Sequence, residues 1–185
     1  MLVAFVMFFV TESNSQINKR IFFTAGGGLS APLEKEDFPV DYGIGYNFDI
    51  RLGQAFHKNF SWCLEATYNF FRNPTMRGDQ LPEKPTFSIT SLTGNLLAGS
   101  FGKSNDFHPY SFIGAGIHFI SSTDSSGVKL SENETTFGLS IGAGASLLTY
   151  SSIGFFAQIR YDFIFSKNTI KGNIPFVVGF MYSPK

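Results

Sequence analysis

The stretch IGFFAQIRYDFIFS, residues 153 to 166, puts a bulky apolar side chain at nearly every second position: Ile153, Phe155, Ile159, Tyr161, Phe163 and Phe165, interrupted by Ala157. Gly154, Phe156, Gln158, Arg160, Asp162, Ile164 and Ser166 lie between them. A period of two defines a β-strand with two unlike faces. The pattern recurs. Ile44, Tyr46, Phe48, Ile50 and Leu52 alternate with Gly43, Gly45, Asn47, Asp49, Arg51 and Gly53. Phe60, Trp62, Leu64, Ala66, Tyr68 and Phe70 alternate with Ser61, Cys63, Glu65, Thr67, Asn69 and Phe71. Phe137, Leu139, Ile141, Ala143, Ala145 and Leu147 alternate with Gly138, Ser140, Gly142, Gly144, Ser146 and Leu148. Which face meets water decides the class.

In a soluble protein the bulky face would fill the core and the second face would meet solvent. Solvated sheet faces are rich in Lys, Glu and Thr, partly to prevent edge pairing. Here the second face carries Gly, Ser, Asn and Thr with almost no Lys, and glycine weakens an exposed strand. If the bulky face meets lipid, the second face lines a narrow barrel, where small residues leave room for packing. The strand charges Asp49, Arg51, Glu65, Arg160 and Asp162 then sit inside and can pair, as buried charge requires. A Lys or Arg on the lipid face would cost ~2–4 kcal/mol at mid-membrane, and the bulky set contains none. Phe60, Trp62, Phe70, Tyr110, Phe137, Phe165 and Tyr182 stand where interfacial aromatic girdles belong.

Strands are predicted over about 20–30, 42–54, 60–72, 86–101, 109–121, 135–149, 153–166 and 173–183. The first and the fourth alternate less cleanly than the rest, and the register of the fourth, in PTFSITSLTGNLLAGSFG, stays open. The gaps between them alternate long and short, with APLEKEDFPV, NPTMRGDQLPEKP and STDSSGVKLSEN as the long ones. Long loops at one end and tight turns at the other mark an up-and-down membrane barrel with both termini periplasmic. The expected fold is therefore all-β: an eight-stranded antiparallel up-and-down transmembrane β-barrel in a Gram-negative outer membrane.

Composition agrees. Charged residues are 15% of the 185, against ~25% in an average soluble domain, while Phe occurs 23 times and Gly 19 times. Lys plus Arg and Asp plus Glu balance at 14 each, so net charge suggests no nucleic-acid partner. The apolar run Leu2 to Val10, followed by Ser13 and Ser15 in a small-x-small arrangement, reads as an export signal over residues 1–15, with the barrel domain over 16–185. That run falls short of the ~20 residues of a membrane helix, and no later segment qualifies.

With these features the sequence resembles the small outer-membrane β-barrels, the superfamily of the OmpA membrane domain and OmpX. The likeness rests on the alternation, the loop rhythm and segments such as PYSFIGAGIHFI and NIPFVVGFMY. It implies outer-membrane lipid as a partner. It also implies recognition of the last strand by the barrel-assembly machinery, since Phe176, Val178, Phe180 and Tyr182 match the alternating aromatics that machinery reads.

The expected role is structural or surface-interactive, with a filled interior, no wide pore, and an unnamed extracellular ligand as a possibility for the long loops. Asp49, Arg51, Glu65, Arg160, Asp162 and His118 are expected to form an interior charge network. Two alternatives carry different chemistry. An outer-membrane lipid-modifying enzyme would use a Ser/His/acid set around His118. In GIHFISS, however, Ser121 lies on the opposite face, and Ser122 is ~13 Å along the strand. Ile120 stands where a His-x-Ser pattern needs serine. A soluble lipocalin-like carrier would turn the bulky face inward around an apolar ligand. No catalytic, cofactor or metal site is expected. The units Gly43/Gly45, Gly114/Gly116 and Gly142/Gly144 open no helix. His57, His108 and Cys63 make no metal-ligand pattern.

Overall fold

The computed structural model describes residues 20–33, 43–72, 86–99, 107–123, 133–148, 152–166 and 170–184. The proposed signal, residues 1–15, and most of the long loops lie outside the described residues. Eight strands follow one another: β1 (Ile21–Pro32), β2 (Gly45–His57), β3 (Phe60–Arg72), β4 (Thr86–Gly99), β5 (Phe107–Thr123), β6 (Glu134–Leu148), β7 (Ile153–Phe165) and β8 (Ile170–Tyr182). Each pairs antiparallel with its sequence neighbours, and β8 returns to pair with β1 in a closed barrel. Closure leaves no free sheet edge, so the ladder satisfies the backbone within the membrane.

Along β2 and β7, exposed and buried residues alternate almost without a break. Ile50, Leu64, Leu92, Ile113, Ile141, Ile159 and Val178 point outward and are about half exposed or more. Their neighbours Arg51, Glu65 and Arg160 point inward and are buried. A continuous apolar belt of this extent is a surface for lipid. The soluble-carrier alternative required the reverse assignment, and the lumen it needed for an apolar ligand is filled with packed side chains, polar at mid-height and apolar toward the ends.

Five of the expected girdle aromatics, Phe60, Trp62, Phe137, Phe165 and Tyr182, face outward. Phe137 and Phe165 stack with centroids 6.2 Å apart. Phe70 is half-buried. Tyr110 is a correction: it points into the barrel, because it shares strand parity with His108 and Phe112, both buried. Its hydroxyl donates to Gln158 Oε1 at 3.4 Å.

The strand ends also differ from expectation. β2 continues through His57 by way of a register shift between Ala55 and His57, which leaves Lys58 and Asn59 as the turn. β8 begins at Ile170 rather than near 173. Its polar start obscured the strand, but the ladder extends there. Leu33 N–H donates to Gly172 O at 3.1 Å, and Lys171 Nζ lies 3.7 Å from Glu134 Oε2.

Candidate functional site

The inward side chains of the neighbouring strands β2 and β3 form a ladder set by register. Arg51 lies opposite Glu65, Asp49 opposite Thr67, and Asn47 opposite Asn69. Residues of like parity on β7 approach from across the lumen. The result is an ionic belt near mid-barrel. Arg51 Nε is 3.2 Å from Asp49 Oδ1 and 3.4 Å from Glu65 Oε1. Arg160 pairs with the same Glu65 oxygen through Nη1 and with Asp162 Oδ1 through Nε at 2.8 Å.

Glu65, 1% exposed, is the hub. Asn95 Nδ2 donates to its Oε2 at 2.6 Å, and Gln158 Nε2 donates to its Oε1 at 3.5 Å. Ser140 Oγ in turn donates to Asn95 Oδ1 at 3.3 Å, which fixes the amide. Arg160 Nη2 donates to Thr67 Oγ1 at 3.5 Å. The Arg51 guanidinium lies 5.1 Å from the centroid of the Phe156 ring, within cation–π range.

Small residues make this room. A Cβ on Gly114 would overlap the Asn95 carboxamide and come within 2.6 Å of Ser140 Oγ. At the β1–β8 seam Gly26 faces Gly179, and Phe156 occupies the space that side chains at both positions would need.

Apolar clusters lie toward the two ends of the lumen. Near the short turns Phe22, Cys63, Leu97, Tyr110, Phe112, Leu148 and Met181 pack together. Toward the long loops Phe71, Phe87, Ile89, Ile120 and Ile164 do the same. Phe71 and Phe87 meet with ring centroids 6.0 Å apart.

All six residues expected inside are buried, and five of them belong to the belt. His118 does not join the ion pairs. Its Nδ1 is hydrogen-bonded to Ser91 Oγ at 2.7 Å, and its Nε2 lies against Gly138 on β6. Ser91 is thus the serine within reach, rather than Ser121 or Ser122. Both Ser91 and His118 are sealed from solvent, so this pair lacks the substrate access a lipid-modifying site requires. Sequence reasoning missed Ser91, Asn95, Gln158 and the apolar ends. Parity marked Gln158 and Phe71 as inward, but it assigned no face to Ser91 and Asn95 on β4, and only inter-strand register brings these residues together. Among the described residues no cluster of His, Cys, Asp or Glu could hold a metal ion.

The architecture has known counterparts. The family model for the outer membrane protein β-barrel domain matches residues 1–183. Neisserial surface protein A superposes with a TM-score of 0.64 at 16% identity, covering 88% of this chain and 96% of that one. Ail, the attachment invasion locus protein of Yersinia pestis, gives 0.57 at 16% identity, covering 91% and 100%, in a structure with the heparin analogue sucrose octasulfate. OprG from Pseudomonas aeruginosa gives 0.57 at 12% identity, covering 90% and 96%. No curated protein sequence gives a match. A closed eight-stranded barrel with a lipid-facing apolar belt and a packed polar lumen defines a small outer-membrane barrel. The chain belongs to the outer membrane protein β-barrel domain family, and its place is the cell outer membrane.

Proposed function

We propose that this barrel has a structural and surface-contact role: it anchors in the outer membrane and presents its long loops outside, without a wide pore. One observation carries this reading. The lumen is filled at mid-height by the Glu65-centred belt, with apolar clusters toward both ends. Eight strands leave space only for packed side chains, and here that space is used. The role of the loops rests on likeness to Ail, named for attachment and invasion. In the same reading the last strand, with Phe176, Val178, Phe180 and Tyr182 outward, is what the barrel-assembly machinery recognises. The barrel is read as having no enzymatic activity, because the Ser91–His118 pair has no access to substrate.

Planar-bilayer recording tests the filled lumen. Wild-type protein should give a small conductance or none. Any conductance should change in Glu65→Gln and in Arg160→Gln. A large, stable conductance in the wild type overturns the reading. A small conductance that is the same in both variants removes the belt from the path.

A further inference from the structure

The belt is not balanced. Among the described residues it holds three carboxyl groups, Asp49, Glu65 and Asp162, and two guanidiniums, Arg51 and Arg160. All five side chains are buried, and an uncompensated charge at such depth is strongly unfavourable. Among the described residues no further cation joins the belt. Arg20 lines the short-turn end of the lumen beside Phe22, Ala55 and His108. It stands four residues before Thr24, the partner of Arg51, which is ~13 Å along a strand. His118 is turned to Ser91 and Gly138, and Lys171 lies with Glu134.

The carboxyl groups show how the difference is met. Arg51 Nε lies 3.2 Å from an oxygen of Asp49 and 3.4 Å from an oxygen of Glu65. The same two carboxyls are in hydrogen-bond contact with each other. Two ionised carboxylates repel there, and neither has a hydrogen to give. A hydrogen bond between two carboxyl groups needs a proton on one of them.

The surroundings say which one. Glu65 accepts from Asn95, Gln158 and Arg160 in addition to its contact with Arg51, so it is the better-supported anion. The charged groups that face Asp49 are Arg51 on its own strand, Glu65 on β3 and Arg160 on β7. Its register partners, Gly26 on β1 and Thr67 on β3, do not titrate. Asp162 is held by Arg160, while Tyr110 and Cys63 face Arg51.

We propose that Asp49 and Glu65 form a proton-binding site: in the folded barrel Asp49 is a carboxylic acid that donates its hydroxyl to the Glu65 carboxylate. The belt then holds two carboxylates and two guanidiniums and is neutral. The bond is of the charge-assisted O–H···O⁻ kind and ties β2 to β3 at mid-height.

Infrared spectroscopy tests this on the full-length barrel, purified folded in an amine-oxide detergent, which has no carbonyl of its own. Wild-type protein in neutral buffer should show the carbonyl stretch of a protonated carboxylic acid. The band should shift when aspartate is isotope-labelled at its side-chain carboxyl, should vanish in Asp49→Asn and should persist in Lys171→Ala. The folded barrel also holds one proton more than the unfolded chain, whose Asp49 ionises near pH ~4. Above about pH 5 the wild-type folded-to-unfolded ratio should therefore fall about tenfold further per pH unit than that of Asp49→Asn, until the pair gives up its proton. Near neutral pH Asp49→Asn should unfold close to the wild-type urea midpoint, because its amide accepts from Arg51 and donates to Glu65. The absence of the band in the wild type overturns the proposal, since another charge then balances the belt. So does a band that follows labelled glutamate, a band that survives Asp49→Asn, or an equal pH slope in the two proteins. The labelling result stands even if Asp49→Asn does not fold.

Discussion

At the level of Arg51 and Glu65 the lumen is ionic; at the level of Phe71 and Ile164 it is apolar. The two regions fill the same narrow space by different physics. The belt depends on direction: each guanidinium bridges two carboxylates, and Glu65 is satisfied only while Asn95, Gln158 and Arg160 keep their places. The apolar cluster depends on shape and volume. The belt should therefore fail abruptly when one partner is lost, and the cluster in proportion to the volume removed.

The largest effect is expected at the hub. Glu65→Ala leaves two buried guanidiniums short of a carboxylate and should cost ~3–5 kcal/mol. Reversible urea unfolding in detergent or lipid measures it. A loss below ~1 kcal/mol would dissolve the contrast. Phe71→Ala should cost a similar ~3–5 kcal/mol by cavity formation. The cluster, unlike the belt, should accept a smaller apolar side chain. Phe71→Leu should recover much of the loss, whereas Glu65→Gln, though isosteric, should not.

A smaller effect sharpens the comparison between the inside and the outside of one wall. Ile113, 59% exposed near the middle of β5, should tolerate Ala but lose ~2–4 kcal/mol as Ile113→Arg. Near-equal costs for the two substitutions would mean that this position does not sit in hydrocarbon. The smallest effect lies at Ser91→Ala. It removes a partner of His118 Nδ1 and should cost ~1–3 kcal/mol. Conductance should stay the same, because His118 is outside the ion pairs.

Much of this was legible in the sequence, and the limits have a physical origin. Alternation in IGFFAQIRYDFIFS assigns Ile159 outward and Arg160 inward without any knowledge of neighbours. It says nothing about height in the barrel. Phe71, Phe156 and Ile164 share parity with polar residues and read as exceptions to the pattern. They become packed groups only when register sets Phe71 opposite Phe87 and brings Gly26 and Gly179 beneath Phe156. Ser91 and His118 are opposite one another through the β4–β5 register, and the alternation in β4 leaves its register open. Tyr110 was misplaced because an aromatic near a strand end reads as an interface anchor, while parity with Phe112 sends it inward.

The account rests on the bulky face meeting lipid. Electrophoresis of the membrane fraction, boiled against unboiled, tests this most directly. A closed membrane barrel resists detergent until heated, so the protein should be found in that fraction and the two samples should migrate differently. The same migration in both samples, with the protein recovered in the soluble fraction, would contradict the account and turn the bulky face of residues 153 to 166 inward.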